Sequence, residues 1–293
     1  MNKRNSILGA MFVAVSEAFL APVASAEPAQ TPALEFPAPS PAATLKQRVG
    51  VTDVEVVYSR PGAKGRKVFG GLVPYGELWR TGANAAPKIT FSTDVKFGGQ
   101  PVPAGSYALF TIPDANEWTV ILNKVADQSG TSVYDAKNDL VRVKAKPVAL
   151  AHPVENFRFD FDELRDTGGV LSLAWEKTSV PVRIEIDVVA MMVPKIQAAM
   201  AGGGTKPYYQ AAMFYYENNL DLKQAVQWME EANKARPDTV WLVHRQALIL
   251  AKAGDKAAAL AAAKRSLELA AKVGGAQGAE YKRLNDELIA TLK

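Results

Sequence analysis

The sequence predicts an antiparallel β-sandwich followed by a short all-α tetratricopeptide-like repeat domain, an α+β chain in two parts. Three observations carry this. Between about Thr44 and Ala190 apolar residues recur at every second position. From about Val193 onward the apolar period becomes helical and alanine becomes abundant. Within that helical part, residue types return at a spacing of 34.

The chain has 293 residues, with 34 Lys and Arg against 30 Asp and Glu, two His and no Cys. Lys3 and Arg4 lead a mostly apolar run from Ile7 to Leu20, and Ala24-Ser25-Ala26 is a small-x-small cleavage signature ahead of Glu27. This pattern predicts a secretory signal peptide over residues 1–26. Glu17 argues against a membrane anchor, because a carboxylate at mid-bilayer is costly and the run is shorter than about 20 residues. Later apolar runs are too short to span, so no transmembrane segment is expected after signal removal. Residues 27–43 hold five prolines among alanines and few charges, which favours extended conformers and predicts a linker.

In residues 44–190, Phe157, Phe159 and Phe161 alternate with Arg158, Asp160 and Asp162, and Val182, Ile184, Ile186 and Val188 with Arg183, Glu185 and Asp187. Successive side chains of a strand point to opposite faces, so each segment has one apolar and one wet face. The same reading fits Val54–Val56, Ile89–Phe91, Val95–Phe97, Tyr107–Leu109, Trp118–Leu122, Val141–Val143 and Leu171–Trp175. Gly98-Gly99, Pro101 to Gly105 and Gly168-Gly169 punctuate them. About nine or ten short strands without an amphipathic helix among them predict the sandwich.

In residues 191–293, Tyr216, Asp221, Ala225, Val226, Met229 and Ala232 stand in register with Leu250, Asp255, Ala259, Leu260, Ala263 and Ser266. Small residues such as Ala225 and Ala259 let paired helices approach, Pro237 ends the first unit and Gly254 turns the second. Leu220 stands where the first unit would have its glycine. Two degenerate repeats and a capping helix over about Gln277–Leu292 are expected, leaning on the β domain for burial because three repeats are usually needed.

Without cysteine there is no disulfide framework, thiolate metal site or cysteine nucleophile. His152 and His244 leave little for a histidine-rich centre, so no metal and no cofactor are expected. A net charge of +4, or +3 without residues 1–26, is too mild for nucleic-acid binding. Charge concentrates instead between Tyr58 and Lys88, where Arg60, Lys64, Arg66, Lys67, Arg80 and Lys88 face only Glu77. Guanidinium forks suit carboxylate or phosphate, and the flat faces of Tyr75 and Trp79 suit a sugar ring or a stacked Arg. Two readings fit this loop. Arg60, Lys64, Arg66, Tyr75, Trp79, Arg80 and Asn84 form a site for an anionic or sugar-like ligand, or Arg80 and Asn84 staple backbone carbonyls while Trp79 plugs the end of the sandwich. Chemistry alone leans to the staple, since a long loop must satisfy its backbone.

The runs Ser59-Arg60-Pro61, Lys64-Gly65-Arg66, Phe69-Gly70, Val73-Pro74-Tyr75-Gly76 and Trp79-Arg80-Thr81-Gly82-Ala83-Asn84, followed by Pro103-Ala104-Gly105-Ser106-Tyr107 and Glu117-Trp118-Thr119, closely resemble the bacterial family of unknown function DUF2911. The resemblance covers about Thr44–Val189, and the helical tail is similar to one that members often carry. Ala85-Ala86 departs from the pattern, which has an acidic residue followed by Ala or Ser. The resemblance implies an exported bacterial protein and supplies no mechanism.

The other candidates carry less. A lone His152 beside Pro153 and Glu155, and a helical His244, are ordinary surface or packing residues. Asp160, Asp162, Glu163 and Asp166 lack the spacing of a calcium loop and read as a solvated edge. No nucleophile elbow or phosphate-binding glycine loop is present. Tyr208, Tyr209, Phe214, Tyr215, Trp228 and Trp241 read as core and interdomain contacts. The expectation is a non-catalytic, exported cell-envelope protein, periplasmic or secreted, with a loop ligand site and a tail that contacts a protein partner or its own sandwich. Two rivals stand. One is an enzyme acting on envelope glycans through Arg80 and Glu77, for which a second catalytic group is lacking; the other is a structural β domain with a peptide-binding tail.

Overall fold

A computed structural model describes residues 36–292; the expected signal peptide and most of the linker lie outside them. Among the described residues ten strands come first: β1 (Ala42–Val49), β2 (Thr52–Ser59), β3 (Lys88–Phe91), β4 (Val95–Phe97), β5 (Gln100–Val102), β6 (Gly105–Ile112), β7 (Trp118–Asn123), β8 (Asp139–Ala145), β9 (Val148–Arg165) and β10 (Gly168–Glu185). They form two antiparallel sheets, β1-β2-β3-β6-β7-β8 and β5-β4-β10-β9. The alternation in sequence is the reason. Val54, Val56 and Tyr58 of β2 turn inward to meet Phe157, Phe159, Phe161, Leu171, Leu173 and Ile184 of the second sheet, while Asp53 and Asp160 stay wet.

The outer face of the first sheet is covered as well. Ala108 and Phe110 of β6 and Ile121 of β7 are buried there under Ala86 and Leu78 of the β2–β3 connection and under Tyr134. Those central strands therefore read as continuous apolar runs.

Three differences from the expected strand limits have a plain physical reason. The segments Leu171–Trp175 and Val182–Ile184 belong to a single long strand, β10, whose alternation is broken by register shifts on β9 between Ala174 and Thr178. The alternation expected to run on to Val188 stops at Glu185, because Asp187 caps a helix by accepting from the Ala190 N–H at 2.9 Å. Pro101, expected as turn punctuation, lies in β5, an edge strand where a missing N–H costs nothing.

Six helices follow: α1 (Val188–Ala201), α2 (Tyr208–Glu217), α3 (Leu222–Ala235), α4 (Val240–Lys252), α5 (Lys256–Val273) and α6 (Gly275–Leu292). None is long and apolar enough to cross a membrane. Asp221 and Asp255, 34 positions apart, each cap the second helix of a hairpin, and Ala225 and Ala259 are fully buried where the paired helices approach. Gly254 turns α4 into α5 at φ +87°, while Asn219 takes the left-handed position between α2 and α3, so Leu220 does not need to be glycine. Helix α1 belongs to both cores: Val188 and Met191 pack on the sandwich, and Met192, Val193 and Ile196 on the helices.

One polar knot is sealed among α4, α5 and α6. The Asn285 side-chain amide donates to Ser266 Oγ at 2.8 Å and to the Tyr281 carbonyl, leaving its Oδ1 to accept from His244 Nδ1–H at 2.8 Å; Ser266 in turn donates to the Val240 carbonyl. Burial pushes the His244 imidazole below its ordinary value of 6.5; the bond to Asn285 pulls up less, and Arg245 pushes down further. Two outcomes follow. Asn285→Ala leaves the buried His244 Nδ1–H without its acceptor and Ser266 Oγ without its donor, and is expected to cost about 1–3 kcal/mol in urea unfolding. Since the folded His244 resists protonation, its contribution is complete above about pH 6.5 and is lost as pH falls through the lower folded value. The parent should therefore lose more stability than His244→Gln between pH 7.5 and pH 5.

Candidate functional site

Strands β2 and β3 are hydrogen-bonded neighbours, yet the chain between them, residues 60–87, leaves the first sheet, reaches the second and returns. Its backbone groups explain the path. Ala63 N–H donates to the Glu155 carbonyl at 2.8 Å and Phe157 N–H to the Pro61 carbonyl at 2.9 Å, which fastens the outbound limb to β9. Trp79 and Thr111 exchange both backbone bonds, at 2.7 and 2.9 Å, which fastens the return limb to β6. Ala86 N–H then donates to Gln128. The connection thus laces one sheet to the other across the end of the sandwich.

Trp79 is the buried centre of this lacing. Its ring stacks on Trp175 of β10, with centroids 5.9 Å apart and planes at 17°, and meets Phe69, Trp118 and Phe157 edge-on. Trp175 is itself anchored by its indole N–H on the Glu155 carbonyl at 3.0 Å. At Gly70, φ is +73° and a Cβ would lie 2.7 Å from the Tyr75 ring, so only glycine lets Tyr75 fold back over the loop.

Against Trp79 and Trp175 lies a cavity of about 320 Å³, lined also by Arg66, Glu77, Arg80 and the apolar side chains of Pro61, Leu72, Pro74 and Leu78. Of the seven expected site residues, the structure brings Arg66, Trp79 and Arg80 to this cavity. Arg60 is turned to the backbone, its Nε donating to the Phe157 carbonyl at 3.1 Å. Asn84, at φ +60°, bonds Ser59 Oγ at 3.1 Å. Lys64, at φ +50°, gives its backbone N–H to the Glu155 carboxylate at 2.8 Å, and Tyr75 stands half-exposed over Gly70. Glu77 and Trp175 complete the cavity. Sequence reasoning gave Glu77 a place only in the enzyme reading and Trp175 only a place in a strand, because nothing local brings β10 to this loop.

Arg66 is held rigidly by Nε to the Ala63 carbonyl, 2.9 Å, and Nη2 to the Gly62 carbonyl, 2.8 Å. Arg80 differs: its Nε–H is buried with no acceptor among the described residues. A buried donor left unmade costs about 1–3 kcal/mol. The residue sits between buried Trp79 and Thr81, a β-branched residue at φ +60° that is wholly buried and bonded through Oγ1 to Thr111 Oγ1 at 3.0 Å. That conformation is strained by about 1–3 kcal/mol, and the Trp79–Thr111 backbone pair holds it.

Two other cavities lack such unmatched chemistry. One of about 540 Å³ is lined by Asp94, Arg183, Glu185 and Asp187, but Asp94 accepts from Ala104 N–H, Arg183 pairs with Glu163 and Glu185, and Asp187 caps α1. The other, of about 380 Å³, is lined by Ala85, Ala86 and an already paired Lys88 and Asp127. No group of three or more metal-ligating side chains occurs among the described residues.

The fold and this loop define a two-sheet sandwich with an arginine- and tryptophan-lined cleft at one end, continued by a helical tail. Residues 40–184 match the model of the family described as protein of unknown function, DUF2911, and the match ends where the sandwich ends. No protein of curated function and no solved structure matches the chain.

The contacts separate the arginines by their effect on stability. Arg60→Met should lower unfolding free energy by about 1 kcal/mol by orphaning the Phe157 carbonyl, and Trp79→Ala by about 3–5 kcal/mol. Arg80→Met removes a donor without an acceptor and should leave stability unchanged or raise it slightly. Urea denaturation of the three variants checks all three outcomes.

Proposed function

We propose that this is an exported cell-envelope protein whose sandwich binds a small anionic ligand, without catalysis, in the cleft of Arg66, Trp79 and Arg80. One observation carries the reading: Arg80 presents a buried Nε–H with no acceptor among the described residues, between a buried tryptophan and a strained Thr81. A protein keeps an uncompensated donor and a strained neighbour at a site where a partner supplies the missing interaction. A carboxylate or phosphate oxygen is that partner, because it meets a guanidinium through charge-assisted bonds. The cleft is lined by one carboxylate, Glu77, and no histidine, so it lacks the paired acid and base that glycan hydrolysis would use. The signal-peptide pattern of residues 1–26 supports export.

The test is a thermal-shift titration of the full chain and of Arg80→Met with phosphate, a sugar carboxylate and a neutral oligosaccharide. The anions should raise the melting midpoint of the parent in a concentration-dependent way and leave that of the folded variant unmoved, since a ligand that binds only the native state stabilises it. A parent indifferent to every anion, or a variant that shifts equally, overturns the reading.

A further inference from the structure

The cleft gathers opposite charges that do not meet. Glu77 lines it together with Arg66 and Arg80, yet none of the ion pairs formed within 4.0 Å among the described residues includes any of the three. Elsewhere on the sandwich Arg48 closes on Asp53 at 2.9 Å and Lys88 on Asp127 at 2.9 Å. Arg66 is tied to two backbone carbonyls and so is not free to fold onto Glu77.

A simple anion uses only part of such a cleft, because the charge that satisfies Arg80 still faces the Glu77 carboxylate across a small volume. A molecule with an anionic and a cationic end matches it. The apolar lining, Trp79, Trp175, Leu72 and Leu78, suits a short apolar body, and about 320 Å³ lies at the small end of ligand cavities. We propose that the cleft binds a zwitterion, an α-amino acid or short peptide with both termini free, its carboxylate on Arg80 and Arg66 and its ammonium on Glu77. This rests on the anion-binding reading above and adds the requirement for a cationic end.

Calorimetric titration of the full chain with leucine, Ala-Leu, N-acetyl-Ala-Leu, Ala-Leu-amide and inorganic phosphate tests it, with Glu77→Gln and Arg80→Met as variants and urea midpoints as the check on folding. Leucine or Ala-Leu should bind, and whichever binds more tightly identifies the source. Acetylation and amidation of the dipeptide should each weaken binding at least about tenfold, the size of one lost charge-assisted contact. Glu77→Gln should remove the preference for the free over the acetylated dipeptide without weakening the acetylated one. Arg80→Met should abolish binding of both. If the acetylated dipeptide or phosphate binds the parent as well as the zwitterions do, the inference fails and the anion site stands. If no probe binds, both fail.

Discussion

Trp79 lies flat against Trp175, and on that contact the end of the sandwich that holds the cleft depends. Trp79 belongs to the β2–β3 connection and Trp175 to the second sheet, while Trp118, which Trp79 meets edge-on, belongs to the first. One side chain therefore joins three parts of the chain that are far apart in sequence. Aromatic packing of this kind gives large buried area together with a preferred geometry, which fixes the loop in position as well as holding it. The cleft has Trp79 and Trp175 in its wall, so its shape is inherited from the core.

The same constraint places cost and chemistry side by side. Residues 78–84 pass from half-buried Leu78 through buried Trp79 to two non-glycine residues at positive φ, Thr81 and Asn84. Asn84 and Arg60 use their side chains to bind the loop's surroundings, and Arg66 bonds to its own outbound limb. Arg80 is the exception within this well-satisfied loop. Because buried polar groups are nearly always bonded, an exception inside a cavity that holds a second guanidinium and a carboxylate has more functional weight than the net charge of the segment.

The helical tail is tied to this scaffold through α1, whose first turn completes the sandwich core and whose later residues seed the helical core. Pro194 lies between the two halves of that helix, where it removes one backbone bond and favours a bend. Farther out, the His244–Asn285–Ser266 knot gives the last three helices a polar register that an apolar interface alone would not specify.

Sheet class, helical tail and the residues that punctuate them were legible in the sequence, because a half-buried strand must alternate and a capped helix must begin on a residue such as Asp221 or Asp255. Strand β1 was not singled out, since its alternating residues Ala43, Leu45, Gln47 and Val49 flank a mostly polar edge whose place is set by pairing with β2. The loop from Arg60 to Asn84 stood out by composition alone, and Arg66, Trp79 and Arg80 do line one cavity. What composition lacks is direction. Whether an arginine staples a carbonyl, as Arg60 does, or keeps an open donor, as Arg80 does, depends on which backbone lies opposite it. Strands β9 and β10, some hundred positions along the chain, provide that backbone and the Trp175 wall, so only the packing of the two sheets decided which arginine bonds a carbonyl and which keeps a donor without one.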